Sequence, residues 1–270
     1  MSIELNNFLI GEDKLTILAG PCAIESMEIL EETASGLKEI CEELDINFVF
    51  KSSFDKANRT SITSYRGLGI DKGLEMLSHI KSKFNLPIVT DIHTPDQAKQ
   101  IAEVADIIQI PAFLCRQTDL LVESAKTNKI INIKKGQFLA PEQMKPLIKK
   151  VTDSGNNKII LTDRGTTFGY NNLVSDFRVI QIMKEFGYPV CFDATHSVQM
   201  PGSNGESTGG NREFVPLLAN CAMASGADVL FFEVHPDPEK ALCDGPNMLY
   251  LKDAKKVFKK CKEIYEVVKK

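Results

Sequence analysis

Nothing in this 270-residue chain points to an oxidising compartment, a membrane or a nucleic acid. It has no CxxC pair, and its seven cysteines are odd in number and scattered, so they read as reduced thiols rather than a disulfide framework. No apolar run approaches the ~20 residues of a membrane span. The opening "MSIELNNFLIGEDK" is too short and too acidic for a secretory signal, so a cytoplasmic protein with no membrane partner is expected. Positive charge is not in surplus: the net charge of -4 gives no overall basic field for nucleic acid. There is no GxGxxG fingerprint of a dinucleotide site, and no organic cofactor is expected. No low-complexity stretch or composition shift marks a boundary, so residues 1–270 are expected to form a single domain, a size that suits an α/β barrel.

What is present is one alternation, repeated. Eight short apolar runs are "LTILAGP", "NFVFKSSF", "PIVTDIH", "DIIQIP", "IINIKKG", "KIILTDRG", "PVCFDATHS" and "DVLFFEVHP". Longer amphipathic stretches separate them, such as "GLEMLSHIKSKF", in which Leu74, Leu77, Ile80 and Lys81 have helical spacing. Continuously apolar strands between helices imply a parallel sheet covered on both faces. Eight units predict an α/β fold of the (β/α)8 TIM-barrel type, with an open doubly wound sheet as the alternative. Residues 1–14 precede the first run and are expected to form a short extension or hairpin that closes the barrel bottom.

Active sites of such barrels lie at the C-terminal ends of the strands. Each run here is apolar first and polar last. The ends carry Cys22; Lys51, Ser53, Asp55, Lys56, Asn58 and Arg59; Asp91 and His93; Gln109, with Arg116 soon after; Asn132, Lys134, Lys135 and Gln137; Asp163 and Arg164; Asp193 and His196; and Glu233, His235, Asp237 and Asp244. Two subsets separate by chemistry. Lys51, Lys56, Arg59, Lys134 and Arg164 are cations at equivalent strand ends, and with no acidic surplus beside them they predict bound anions, phosphate above all. Cys22, His196, Glu233 and Asp244 offer sulfur, nitrogen and oxygen, a set able to hold one divalent transition metal: zinc, iron(II), manganese or cobalt. From the residues alone, Cys22 could equally be an inert core thiol, or a nucleophile with His196 as its base. Gly20 and Pro21 are expected to turn the chain out of the first strand. "GSNGESTGG", residues 202–210, reads as a lid or a linker. Gly165, Gly169 and Tyr170 read as turn formers, and Cys41, Cys191, Cys221 and Cys261 as packing.

Several segments resemble the 3-deoxy-D-manno-octulosonate 8-phosphate synthases: "LAGPCAIES", "FKSSFDKANRTSITSYRG", "TDIH", "QIPAFLCRQTDLL", "NIKKGQF", "DRGTTFGYNNLVSDFR", "FDATHSVQMPG" and "EVHPDPEKALCDGPN". The likeness runs from about residue 15 to 250. It implies a tetrameric (β/α)8 barrel that condenses phosphoenolpyruvate with D-arabinose 5-phosphate and water, releasing phosphate, for the lipopolysaccharide inner core. By that resemblance Lys51, Lys134 and Arg164 hold phosphoenolpyruvate, with Lys56 and Gln137 close by and Ser53 in the same subsite. Asn58 and Arg59 contact arabinose 5-phosphate, and Arg116 reaches the sugar phosphate of a neighbouring subunit. Asp91 and His93 line the reacting centre, and His196 or Asp244 relays a proton. Cys22, His196, Glu233 and Asp244 match the four ligands of the metal-dependent branch, whereas "CDGP" at 243–246 is the form of the metal-free branch. The 3-deoxy-heptulosonate 7-phosphate synthases, which use erythrose 4-phosphate, are the nearest alternative. A Schiff-base aldolase built on Lys134 and a non-catalytic sugar-phosphate-binding protein are more remote ones.

Overall fold

In a computed structural model the described residues are 2–12, 14–59, 61–168, 170, 173–200 and 209–269. Eight parallel strands form the barrel: β1 (Thr16–Gly20), β2 (Asn47–Lys51), β3 (Ile88–Asp91), β4 (Ile107–Ile110), β5 (Ile130–Lys134), β6 (Ile159–Asp163), β7 (Val190–Asp193) and β8 (Val229–His235). Each pairs with the next, and β8 closes on β1 in the register Val229↔Thr16 to Glu233↔Gly20. The eight apolar runs of the sequence are these strands, so the barrel expectation holds and the open sheet does not.

Helices cover the outside: α1 (Met27–Glu43), α2 (Ile70–Phe84), α3 (Ala98–Val104), α4 (Thr118–Lys126), α5 (Met144–Asp153), α6 (Arg178–Lys184), α7 (Val215–Ala224) and α8 (Leu251–Val268). Their starts and stops follow local chemistry. Ser26 caps α1 by accepting from the Ile29 amide at 3.3 Å, and Asn85 ends α2 in the left-handed conformation that its short polar side chain tolerates. The buried stripe of α1, Leu30, Thr33, Ala34, Leu37 and Cys41, has the helical period and packs on the strands. No helix among the described residues is long and apolar enough to cross a membrane.

The strand period of two decides what fills the inside. Leu18, Val49, Val89, Ile107, Ile130, Ile160, Cys191, Val229 and Phe231 form a closed apolar cluster at the lower end. The expected N-terminal hairpin is present: Ile3–Leu5 pairs antiparallel with Phe8–Ile10, and Ile3, Leu5 and Ile10 complete that cluster as a plug. The Tyr265 hydroxyl of α8 donates to the Glu12 carbonyl and ties the hairpin exit to the last helix. Two residues further up, the same inward face carries Lys51, Asp91, Gln109, Asn132, Thr162, Asp193 and Glu233 on β2 to β8, with Lys134 two residues above Asn132, all of them buried.

Gly20 serves close packing rather than a simple turn. A Cβ there would lie 2.0 Å from the Lys51 carbonyl oxygen, so only glycine lets β1 lie against β2 at the height of the Lys51 side chain. Gly165, at φ 84°, does shape a turn, leading into a small hairpin of Thr166–Thr167 with Leu173–Val174. Gly169 and most of the 202–210 loop lie outside the described residues; Gly209–Gly210 pairs with Gln199–Met200.

Candidate functional site

A cavity of about 550 Å³ opens at the C-terminal mouth of the barrel. Of the residues expected at the site, Lys51, Lys56, Asn58, Arg59, Asp91, His93, Lys134, Gln137, Arg164, His196 and Asp244 line it. Gln109, Asp55, Gln199, Phe113 and Leu114 line it as well and had no assigned role. Cys22 and Glu233 sit in the wall behind. Ser53 is fully buried and donates its hydroxyl to Asp91, so it supports a carboxylate instead of facing the cavity. Arg116 is exposed and stands outside this cavity.

The cations are not unpaired, as their positions on apolar strands had suggested. Lys51 Nζ donates to Glu233 Oε1 at 2.8 Å and to the Cys22 carbonyl at 3.0 Å. Lys134 Nζ donates to Asp193 Oδ2 at 2.5 Å, and Lys135 Nζ lies 3.2 Å from Asp163 Oδ1. Buried charge is expensive without a partner, so each inward lysine is matched by a carboxylate on another strand. The surface that meets the cavity is still cationic: Lys51, Lys56, Arg59, Lys134 and Arg164 line it against Asp55, Asp91 and Asp244. Arg164 Nη1 and Arg59 Nε are buried donors with no partner among the described residues, and Arg164 Nη2 donates to Gln199. Unused guanidinium donors on a cavity wall suit phosphate or carboxylate oxygens. Beneath them the Phe231 ring divides the pocket from the apolar core, its centroid 4.0 Å from Lys134 Nζ and 5.3 Å from Lys51 Nζ.

Electrostatics fix the charge states. Burial pushes the Asp91, Asp193 and Glu233 carboxyls up, but the neighbouring cations outweigh it and hold all three well below the usual carboxylate range. Lys51, Lys56 and Lys134 do this for Asp91; His196 and Lys134 for Asp193; Lys51, His196 and Lys56 for Glu233. Asp91 is therefore an acceptor with no proton to give. His93 is pulled down by burial, its Nδ1 has no partner, and its ring packs edge-on against Phe54. A neutral imidazole with a free nitrogen beside the cavity can accept or pass a proton.

The second subset converges beside the Lys51 and Lys56 ammonium groups, both of which reach Glu233 Oε1. Cys22 Sγ, a Glu233 oxygen and an Asp244 oxygen lie within 4.8 Å of one another, and the Cys22 thiol points at Asp244 Oδ2 at 3.4 Å. His196, the fourth expected ligand, lies outside that compact group but reaches it through Glu233, with Nε2 3.4 Å from Oε1. Its Nδ1 faces Asp193 Oδ2 at 2.6 Å, which leaves Nε2 as the nitrogen turned to the group. Glu233 Oε2 is buried without a hydrogen-bond partner among the described residues. A soft sulfur, two carboxylate oxygens, one of them orphaned, and an oriented imidazole fit a divalent transition metal. Asp244 keeps its place in a left-handed conformation, φ 47°, that asparagine and aspartate tolerate best. Burial pushes the Cys22 thiol well above its ordinary value, and the adjoining Cys243 adds to the rise. This opposes a free nucleophilic thiolate, which needs the reverse shift. Cys243 stood out in the sequence only as part of "CDGP"; the turn that carries Asp244 brings it to Cys22.

A sequence profile of the DAHP synthetase I family matches residues 1–270. The chain is 60% identical over 231 residues to the 2-dehydro-3-deoxyphosphooctonate aldolase of Nitratidesulfovibrio vulgaris strain DP4, covering 86% of this chain and 85% of that protein. It is 54% identical over 268 residues to the protein of the same name from Fusobacterium nucleatum, covering 99% and 96%. It is 53% identical over 268 residues to that of Geobacter sulfurreducens, covering 99% and 98%.

Proposed function

The chain belongs to the DAHP synthetase I family, and from that premise we propose that it is a 3-deoxy-D-manno-octulosonate 8-phosphate synthase, the activity that the relatives' name denotes. It condenses phosphoenolpyruvate with D-arabinose 5-phosphate and water and releases phosphate, a step toward the lipopolysaccharide inner core. The observation that carries this reading is the set of cations gathered on the cavity lining, with buried donors on Arg59 and Arg164 that have no partner among the described residues, beside a thiol–carboxylate group that Lys51 and Lys56 reach through Glu233.

C3 of phosphoenolpyruvate joins the sugar aldehyde carbon, water adds at C2, and phosphate then leaves C2 with its bridging oxygen. Two polyanions must lie together against their mutual repulsion. Lys51, Lys134 and Arg164 hold the phosphoenolpyruvate phosphate and carboxylate, with Lys56 and Gln137 beside them. Asn58 and Arg59, at the cavity rim, take the sugar phosphate. Holding both substrates in register supplies much of the acceleration, because it makes the encounter effectively intramolecular. Asp91, ionised, faces the positive character that develops at C2. His93, neutral, and His196, oriented by Asp193, are placed to accept or return a proton.

Cys22, Glu233 and Asp244, with His196 behind Glu233, would hold one divalent metal. When bound, such an ion polarises an oxygen or lowers the pKa of a water. Arg116, exposed and away from its own cavity, supports a homotetramer in which it contacts the sugar phosphate of a neighbouring subunit. The enzyme is cytoplasmic in this reading.

Phosphate release from phosphoenolpyruvate plus arabinose 5-phosphate, with erythrose 4-phosphate in parallel, tests the assignment. Faster turnover of the four-carbon sugar would move the chain to the heptulosonate branch. Metal analysis of the purified protein and of Cys22→Ala tests the ligand set. Unchanged metal content in the variant, with full activity after chelation, would remove the metal from the proposal. Light scattering and the KM of Arg116→Ala for the sugar phosphate test the tetramer.

A further inference from the structure

Four polar side chains are joined in a row around the inside of the barrel, and the chemistry above uses only the one at the end. Asp91, Gln109 and Asn132 occupy paired positions on β3, β4 and β5, and Thr162 follows on β6. All four are buried. Gln109 Nε2 donates to Asp91 Oδ1 at 2.6 Å, Asn132 Nδ2 donates to Gln109 Oε1 at 2.9 Å, and the Thr162 hydroxyl donates to Asn132 Oδ1 at 2.5 Å.

The row has a direction, and the charge at one end sets it. An isolated amide can be turned end for end. An ionised carboxylate only accepts, so Gln109 must present its NH2 to Asp91. Its carbonyl then faces Asn132, which must donate in turn, and Asn132 can accept only from the Thr162 hydroxyl. Aligned in this way, each hydrogen bond polarises the next. One layer below, the same faces of the same strands carry Val89, Ile107, Ile130 and Ile160, so the barrel interior does not demand polar groups. A buried amide pair can often be replaced by apolar isosteres at little cost to stability. A satisfied, one-directional row that ends on a cavity-lining charge is arranged for that charge.

We propose that Gln109 and Asn132 are positioning residues that act through Asp91, fixing the orientation and the charge of its carboxylate on the cavity wall. Asp91 is faced by Lys51 from β2, Lys56 from the following loop, Lys134 from β5 and His93 from its own strand end. The row keeps the carboxylate aimed among these cations while substrates exchange. This inference rests on the synthase reading above.

Asn132→Asp tests the direction of the row. As a carboxylate the new side chain cannot donate to Gln109; as a carboxylic acid it can, while still accepting from Thr162. The groups facing it are Gln109, Thr162, Lys134 two residues along, and Asp91 two strands away. The expected result is a kcat lower by roughly 10- to 100-fold at neutral pH with both KM values nearly unchanged. The ratio of variant to wild-type kcat then rises as the pH falls through the titration of the introduced carboxyl. A ratio constant with pH, or a loss confined to KM, overturns the proposal.

Should that variant not fold, Thr162→Val and Thr162→Ser decide. Valine keeps the shape and removes the last donor; serine restores it. A kcat for valine about 3- to 10-fold below that of serine is expected, and equal values overturn the proposal. A separate readout needs no turnover: the infrared carboxylate band that Asp91→Asn removes. It is expected to shift in Thr162→Val and to stay in place in Thr162→Ser. Absence of product with the wild-type protein would defeat the synthase reading alone. The band would then decide, and an unshifted band in Thr162→Val overturns the row.

Discussion

The two ends of the barrel interior are built on the same eight strands and the same inward alternation, yet they contrast in chemistry. Below Phe231, branched apolar side chains and the N-terminal plug exclude water. Above it, carboxylates and ammonium groups satisfy one another across strands and leave selected donors turned to the cavity. The lower end supplies rigidity; the upper end uses it. The polar groups above have little freedom to relax because the layer beneath them is close-packed.

If that division is sound, each end can be broken without the other. Lys134→Met should have the largest effect. It removes a cavity-lining cation and leaves Asp193 with His196 and Thr195, and kcat should fall by about 10³-fold in steady-state assays. Retention of more than a tenth of wild-type activity would put Lys134 outside the chemistry. Ile160→Ala, in the lower cluster, should cost about 2–4 kcal/mol in urea unfolding while kcat per folded molecule stays within about twofold. A collapse of kcat there would show that the ends are not separable.

The upper end alone should respond to acid. Asp91, Asp193 and Glu233 have folded-state values below their ordinary ones, so their contribution to stability is fully present above the ordinary carboxyl range and is lost as the pH falls through about 4 and below. Each such group contributes up to ~1.4 kcal/mol per pH unit, and urea midpoints measured from neutral to acid pH should decline accordingly. A flat profile down to the acid limit would contradict the cation-rich environment described for these carboxylates. Tyr265→Phe should have the smallest effect, about 1 kcal/mol of stability with no change in kcat, since it removes the hydroxyl that ties α8 to the hairpin exit.

Much of this was legible in the residues. Apolar runs that end in charge predicted eight strands and the active end of the barrel, because a strand buried on both faces must be apolar until it reaches the mouth. The two chemical subsets meet at Glu233, which Lys51 and Lys56 both touch. Partners were harder to read. That Glu233 answers Lys51, and Asp193 answers Lys134, follows from barrel closure and strand stagger, which no local spacing encodes. Hence the lysines looked unpaired in the sequence and are paired in the fold. Ser53 read as a cavity residue because it follows β2, but its hydroxyl turns to Asp91. Gln109 and Asn132 were visible as polar residues at run ends; the fold shows that they point inward, two residues beyond Ile107 and Ile130. Their common direction was not, because it is imposed by a charge on another strand. The small hairpin after β6 read as a plain turn, its strands being only two residues long.

The closure of β8 on β1 has a consequence for how the chain comes to be folded. Thr16–Gly20 emerges from the ribosome first among the strands and gains β2 at once, but its other edge waits for Val229–His235, the last of the eight. Until then one row of amides and carbonyls in the most apolar layer of the protein stays unpaired, a template for any other extended chain. Vectorial synthesis therefore leaves β1 the segment most in need of a chaperone. Slowing translation between β7 and β8 should lower the soluble yield more than the same pause placed after β8.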